Sequence, residues 1–519
     1  MTKAILKSTA VVALLTLVSR ILGFIRDAVI AAFFGADAAT DAFFIAFRIP
    51  NFLRRLFSEG SFSQAFVPVL TRYKDTGSPT ALKLFLDHTA GALATLALGI
   101  TAAGIVAAPA LVLLFAPGFL RDAPLFSLST ETVRITLPYL GLITMAAFGA
   151  AILNTFGHFA IPAITPAILN LTMITAAIAV ATHVEQPIHA LAWSVTIAGL
   201  LQLLFQVPAL SRAGLLPRPR WGFGDPEVVR MLKQIGPTVL STSVTQINVL
   251  LNTLIGSFLV SGSVSWLYYS DRLVEFPVGL LGVAIGTVML PQLSQSHAAA
   301  NAHAFSASLD WALRIVLLVA VPATIGLVLC AKPLLFSLFQ YDQFSLHDVE
   351  MTSRSLATYS LGITGFIAAR VLLSGFTARH DYRTPFRFGV IAIGVNLLAS
   401  AALAYAAAPL GWGHAALGLG TSLAGLLNSA LLLRELVRLE IYRPPAGWGR
   451  LMLQTLAACT VMGVLLTVLN PEPTEWRDWR AMERLTHLGL LVAGGMIAYA
   501  SCLWGLGLRP RHLQFHPTV

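Results

Sequence analysis

Apolar residues run through this chain in stretches of about twenty or more, separated by short polar segments. That is the length an α-helix needs to cross a ~30 Å hydrocarbon layer. The pattern predicts fourteen such helices, near 9–34, 38–70, 84–115, 128–156, 158–182, 189–211, 227–259, 264–296, 306–331, 346–376, 385–406, 413–437, 449–468 and 484–507. The first lacks a small-residue cleavage site and carries Arg20, Arg26 and Asp27, so it reads as a retained helix and not a removed signal peptide.

Composition removes the alternative of a soluble fold. Of 519 residues 56% are hydrophobic and only 11% charged, with a mean hydropathy of +0.76. A soluble domain could not keep that much apolar surface from water, so the solvent is lipid and the fold an all-α polytopic membrane protein. Cys330, Cys459 and Cys502 are widely spaced and read as packing residues.

The net charge of +10 has a topological explanation. With the N-terminus inside, the inner face collects Lys3, Lys7, Arg72, Lys74, Lys83, Arg212, Arg218, Arg220, Arg230, Lys233, Arg379, Arg383, Arg387, Arg434, Arg438, Arg443, Arg450, Arg509 and Arg511. The other face has Arg121, Lys332, Arg477, Arg480 and Arg484. This bias puts both termini in the cytoplasm and makes nucleic-acid binding unnecessary.

Sliding the chain on itself by about 223 residues brings Pro68 onto Pro291 and Pro162 onto Pro385, with the Gly35 and Gly262 loops close to register. Six helices per copy is an even number, so the copies share orientation, as in parallel-repeat transporters. The expected organisation is a lobe over 1–220, a second over 221–445, and a C-terminal helix pair with its tail over 446–519. Two facing lobes imply a central cavity and alternating access by rocking.

Charges interrupt this apolar pattern at a few places. Helix 1 carries Arg20, Arg26 and Asp27; helix 2 carries Asp41, Arg48, Arg54, Arg55 and Glu59; helix 8 carries Asp271, Arg272 and Glu275; helix 10 carries Arg370. A cation at mid-membrane costs roughly 2.5–3.5 kcal/mol on insertion scales, so these faces must meet protein or water. Arg20, Gly23 and Asp27 share one helical face, and so do Arg48, Asn51, Arg55 and Glu59. Cations outnumber acids in the first lobe, and guanidinium forks suit phosphate oxygens, so the pattern points to an anionic guest. Pro50 and Pro277 fall at related points of the two repeats, where kinks would shape the cavity.

The segment SRILGFIRDAVIAAFFGADAATDAFFIAFRIPNFLRRLFSEGSFSQAFVPVL at 19–70 closely resembles the opening of the MurJ/MviN family of lipid II flippases, and SGSVSWLYYSDRLVEFPVGLLGVAIGTVMLPQLS at 261–294 resembles that family equally well. The likeness extends over essentially the whole chain, including LFQY at 338–341. It implies the fold of the multidrug/oligosaccharidyl-lipid/polysaccharide exporter superfamily, two lobes in a V with helices 13 and 14 forming a groove for the lipid tail. It also implies cavity roles for Arg20, Arg26, Arg54, Arg272, Asp41, Glu275, Asn51 and Ser265, and lipid II as partner. Where relatives carry lysines in helices 2 and 10, this chain has Arg48 and Arg370, which keep the charge and change the hydrogen-bond geometry. Some members build a sodium site with acidic and amide groups of helices 7, 11 and 12. Here helices 7 and 12 offer only Asn248, Asn252 and Asn428, which puts that site in doubt.

The resulting expectation is a multi-pass inner-membrane flippase that moves lipid II from inner to outer leaflet for cell wall synthesis. It needs no cofactor, coupling is to membrane potential or a monovalent ion, and no signature of an oligomer is visible. No GxxxxGK[ST] motif for ATP is present. Alternatives are a flippase for another undecaprenyl-pyrophosphate-linked glycan, or a drug or ion antiporter of the same superfamily. A membrane enzyme is the rival class, but His158, His183, His189, His297, His303, His347 and His380 lie mainly at loops or span ends, without HExxH or a nucleophile elbow.

Overall fold

In hydrocarbon every backbone N–H and C=O must find a partner within the chain, and consecutive helices meet that demand. The computed structural model describes residues 3–54 and 62–509, with side chains outside 3–10, 236–249, 281, 283–284 and 286–288. Arg55, Glu59, Arg511 and the side chains of Lys3, Lys7 and Asn248 lie outside the described residues. Among the described residues there are helices and no strand.

The first ten helices are α1 (Lys3–Phe34), α2 (Ala38–Arg54), α3 (Ser63–Thr76), α4 (Pro79–Val106), α5 (Ala108–Phe115), α6 (Ala123–Thr136), α7 (Pro138–Thr155), α8 (Ala160–Thr175), α9 (Pro187–Arg212) and α10 (Pro226–Gly256). The rest are α11 (Ser263–Ala298), α12 (Ala302–Leu329), α13 (Ala331–Leu338), α14 (Leu346–Ser360), α15 (Ile363–Thr377), α16 (Arg383–Ala407), α17 (Gly413–Arg438), α18 (Trp448–Leu469), α19 (Pro473–Asp478) and α20 (Ala481–Gly505). In its described residues, each of the fourteen apolar intervals falls on one of these helices or on a consecutive set. Among the described residues ten helical stretches are long and apolar enough to cross a membrane, which makes this a multi-pass membrane protein.

Local chemistry sets the boundaries. Proline at the first helical position opens α4, α7, α9 and α10, where its missing N–H costs nothing. Side chains of Ser78, Asp122, Asp225 and Asn301 accept from the free N–H groups of the helices that follow them. Several expected spans are divided in the structure. The 84–115 interval breaks at Ala107, and 128–156 breaks at Leu137, just before Pro138. The 346–376 interval breaks at Gly362, where a Cβ would lie 2.6 Å from the Phe366 ring and 2.8 Å from Ser422 Cα.

The chain divides into two compact units, Met1–Ser265 and Trp266–Val519. In the first, α1 packs on α8, α7 and α8 on α9, and α2 on α6. At one end Phe62, Phe66, Phe85 and Phe148 stack in a core that joins α3, α4 and α7. The linker after α9 is fastened to α4. Asp87 accepts from the Arg218 N–H at 2.7 Å, and a Cβ on Gly91 would lie 1.7 Å from the Arg220 carbonyl oxygen. In the second unit α17 packs on α14, α15 and α16, and its small residues allow close approach: a Cβ at Gly420 would meet Ser400 Oγ at 2.3 Å. The pair α18 and α20 docks on α12 through Leu318, Leu451, Ala458 and Leu503. Asp310 of α12 holds the segment before α18, accepting from Tyr442 Oη and Trp448 Nε1, each at 2.8 Å, and from Arg314 Nε at 2.6 Å.

Candidate functional site

The candidate cargo-binding charges of the first unit lie on α1 and α2, each with a different environment. Arg26 is 4% exposed and Asp27 is 2% exposed. Arg26 Nε and Nη2 donate to Asp27 Oδ1 at 2.9 and 2.5 Å, and Nη1 donates to Asn170 Oδ1 of α8 at 3.0 Å. Asn170 Nδ2 in turn donates to the Ser19 carbonyl at 3.0 Å, which locks the amide's orientation. Gly23 leaves room for it, since a Cβ there would stand 3.4 Å from Asn170 Nδ2. A buried cation survives in an apolar bundle only with this degree of satisfaction. Arg20, on the same helix, is exposed and has no hydrogen bond or ion pair among the described residues.

On α2, Arg48 Nη1 donates to Thr253 Oγ1 of α10. Asn51 Nδ2 bonds the Phe47 carbonyl at 2.8 Å, and its Oδ1 receives a long contact of 3.4 Å from Arg54 Nε. Arg54 also borders a cavity between α7, α8 and α9. Asp41, expected from the sequence in the cargo set, has a well-defined occupation. Its Oδ2 accepts from the Gly262 N–H at 2.8 Å, and its Oδ1 accepts from the Ser265 N–H at 2.8 Å and from Ser265 Oγ at 2.6 Å. The carboxylate therefore closes the first turn of α11, where unpaired N–H groups and the helix dipole favour an anion. Gly262, at φ 90°, and Gly35, at φ 65°, make the left-handed turns that precede α11 and α2.

In the second unit Arg272 Nη1 donates to Glu275 at 2.9 Å and Nη2 to Tyr268 Oη at 3.1 Å, with the guanidinium 5.1 Å from the Tyr268 ring centre. Arg370 Nη1 reaches the Val278 carbonyl of α11 at 3.5 Å, and its stem occupies the space a Cβ at position 282 would need. The named first-unit set thus has four guanidinium groups against two carboxylates, while in the second unit Arg272 is paired with Glu275. Among the described residues no three His, Cys, Asp or Glu side chains converge as metal ligands do. Sequence reading missed Asn170, Thr253, Gln202 and Gln206. The signal for the two glutamines was a polar pair at i and i+4 within the apolar run of α9.

The model of the family described as "MurJ: Lipid II flippase MurJ" matches residues 30–478. The probable lipid II flippase MurJ of Vibrio cholerae is 41% identical, covering 99% of this chain and 98% of its own. The lipid II flippase MurJ of Burkholderia cenocepacia is 39% identical, covering 95% and 96%. A solved lipid II flippase MurJ in an inward closed conformation superposes with TM-score 0.77 at 26% identity, over 95% of this chain and 97% of that one. A multidrug resistance MATE family transporter of the MOP superfamily, in an inward-facing conformation, shares the fold alone, with TM-score 0.65 and 14% identity over 85% of this chain and 98% of that one. Matched by the family model over most of its length and by relatives nearly end to end, the chain belongs to the lipid II flippase MurJ family.

Proposed function

We propose that this protein flips lipid II, the disaccharide-peptide joined to undecaprenyl pyrophosphate, from the inner to the outer leaflet of the inner membrane by alternating access. The observation that carries the reading, beside family membership, is the cation excess on α1 and α2. Arg26 is satisfied by Asp27 and Asn170, whereas Arg20, on the same helix, has no partner among the described residues. A diphosphate supplies the missing anion, and guanidinium groups bind it through paired N–H donors. Arg26, Arg48, Arg54, Asn51, Arg272 and Arg370 complete the proposed cargo-binding set, and Asp41, Glu275 and Ser265 hold it in shape. The protein works as a monomer with both termini in the cytoplasm. An inside-negative potential favours outward movement of an anion by about 2.3 kcal/mol per charge per 100 mV, so the cycle runs without ATP.

The test is lipid II translocation by purified protein in proteoliposomes, together with rescue of a strain depleted of its lipid II flippase. Wild type should do both, and Arg20→Ala should do neither while staying folded in the membrane. Rescue only of a strain lacking a flippase for another undecaprenyl-linked glycan would reassign the cargo, and chemical conversion of the lipid would make the protein an enzyme.

A further inference from the structure

The LFQY segment at 338–341 closes α13 and carries no charge. Its Phe339 is fully buried and meets the ring of Tyr269, on α11, at 5.2 Å between centres. Phe344, also fully buried, stands edge-on to the same Tyr269 ring at 5.5 Å. The segment is fastened in turn from α20. Arg484, 6% exposed, donates from Nη1 to the carbonyls of Phe336 and Gln340 at 3.0 and 2.8 Å, and its guanidinium lies 5.4 Å from the Tyr341 ring centre. Phe336 needs that donor, because the Gln340 N–H turns back to Leu335 and leaves the Phe336 carbonyl open at the end of α13. All of these residues belong to the second unit.

What this framework grips is Tyr269, and beside it stands Tyr268, their rings 5.8 Å apart and steeply inclined at 79°. Tyr268 is 6% exposed, and it meets Arg272 in two ways: its Oη accepts from Nη2 at 3.1 Å, and its ring lies 5.1 Å from the guanidinium. The other hold on Arg272 is Glu275, a half-exposed carboxylate that water and ions screen. A phosphate would compete with Glu275 for the cation, whereas the neutral, buried Tyr268 keeps its grip when an anion arrives. We propose that Tyr268 is the positioning residue that presents Arg272 to the cargo, and that the box of Phe339, Phe344 and Tyr269, clamped by Arg484, fixes Tyr268. This rests on the flippase reading and deepens it. A long side chain already held in place loses less rotamer freedom when its ligand binds, and a chain of packed rings is the means of holding it.

The experiment is a pair of double-mutant cycles on full-length protein, read as lipid II affinity by native mass spectrometry. Tyr268→Phe keeps the ring and removes the acceptor, and should weaken lipid II binding roughly tenfold, the value of one hydrogen bond to a charged group. Arg272→Lys gives up the planar fork and should also cost roughly tenfold in wild type. In the Tyr268→Phe background the same change should cost less than about threefold, because a guanidinium that is no longer positioned has lost its advantage over an ammonium. Phe339→Leu, which reaches Arg272 through the two tyrosines, should shrink the Arg272→Lys effect in the same sense. Arg484→Lys, which loosens the clamp and keeps the charge, takes its place if Phe339→Leu does not fold. A residue that only stabilises the fold lowers the unfolding midpoint and leaves the two affinity losses additive, so full additivity in either cycle overturns the proposal. Unchanged lipid II affinity in Tyr268→Phe would overturn it as well. Wild-type protein that does not bind lipid II would sink the flippase reading, and the positioning role with it.

Discussion

If Asp41 is the cap of α11, replacing it should cost stability before it costs cargo recognition. Its carboxylate is 2% exposed and accepts three hydrogen bonds, two from backbone N–H groups and one from a hydroxyl. Hydrogen bonds to a charged acceptor contribute about 1.5–3 kcal/mol each, and removing the acceptor leaves its donors buried and unpaired. Asp41→Ala should therefore cost on the order of 4 kcal/mol. Asp41→Asn keeps one oxygen but turns an N–H₂ toward the other donors, for about 2–3 kcal/mol. Ser265→Ala removes one hydroxyl and leaves both backbone bonds, for about 1 kcal/mol. The assay is the thermal unfolding midpoint of each detergent-purified variant, with Asp41→Ala lowest, then Asp41→Asn, then Ser265→Ala. Because Asp41 and Ser265 share a bond, the double variant Asp41→Ala/Ser265→Ala should lose less than the two singles added. A different result, Asp41→Asn as stable as wild type but unable to bind lipid II, would refute the cap and return Asp41 to the cargo set.

Gly91→Ala places a methyl within bonding distance of the Arg220 carbonyl, so the linker after α9 must move. The expected loss is about 1–3 kcal/mol, read as a lower unfolding midpoint. Asp310→Ala orphans the Tyr442 hydroxyl and the Trp448 indole N–H, and limited proteolysis should then cut the segment 439–447 several times faster than in wild type. Asp381 begins the turn into α16. Burial works to raise its carboxyl, but bonds from the Thr384 side chain and the N–H groups of Thr384 and Arg383 outweigh it and hold the carboxyl below the usual carboxylate range. Its stabilisation is complete above the ordinary aspartate value and is lost as pH falls through the lowered one. Asp381→Ala should thus be about 1 kcal/mol less stable than wild type at pH 7, with the gap closing only below about pH 4.

How much of this was legible in the sequence follows from what hydropathy weighs. The described part of every apolar interval landed on helix because twenty consecutive apolar residues leave the backbone no other way to satisfy itself in lipid. The breaks at Leu137 and Gly362 were not legible: a proline or a small residue costs little within an apolar window, and its effect depends on packing that comes later in the chain. The arginines stood out because a guanidinium in a membrane is expensive, but the residues that make them affordable did not. Asn170 lies 144 positions from Arg26 and Thr253 lies 205 from Arg48, both neutral and inconspicuous in apolar runs. Asp41 was visible as a charge, yet only the fold revealed that three donors 221 and 224 residues away already occupy it. Counting charges along the chain therefore overstates how many await a ligand. Arg26 is matched inside the unit and Asp41 is consumed by a helix end, so the anion-binding capacity of α1 falls chiefly on Arg20. The first variant to make in testing cargo binding is therefore Arg20→Ala, not Arg26→Ala, whose loss would orphan Asp27 and confuse a folding defect with a binding one.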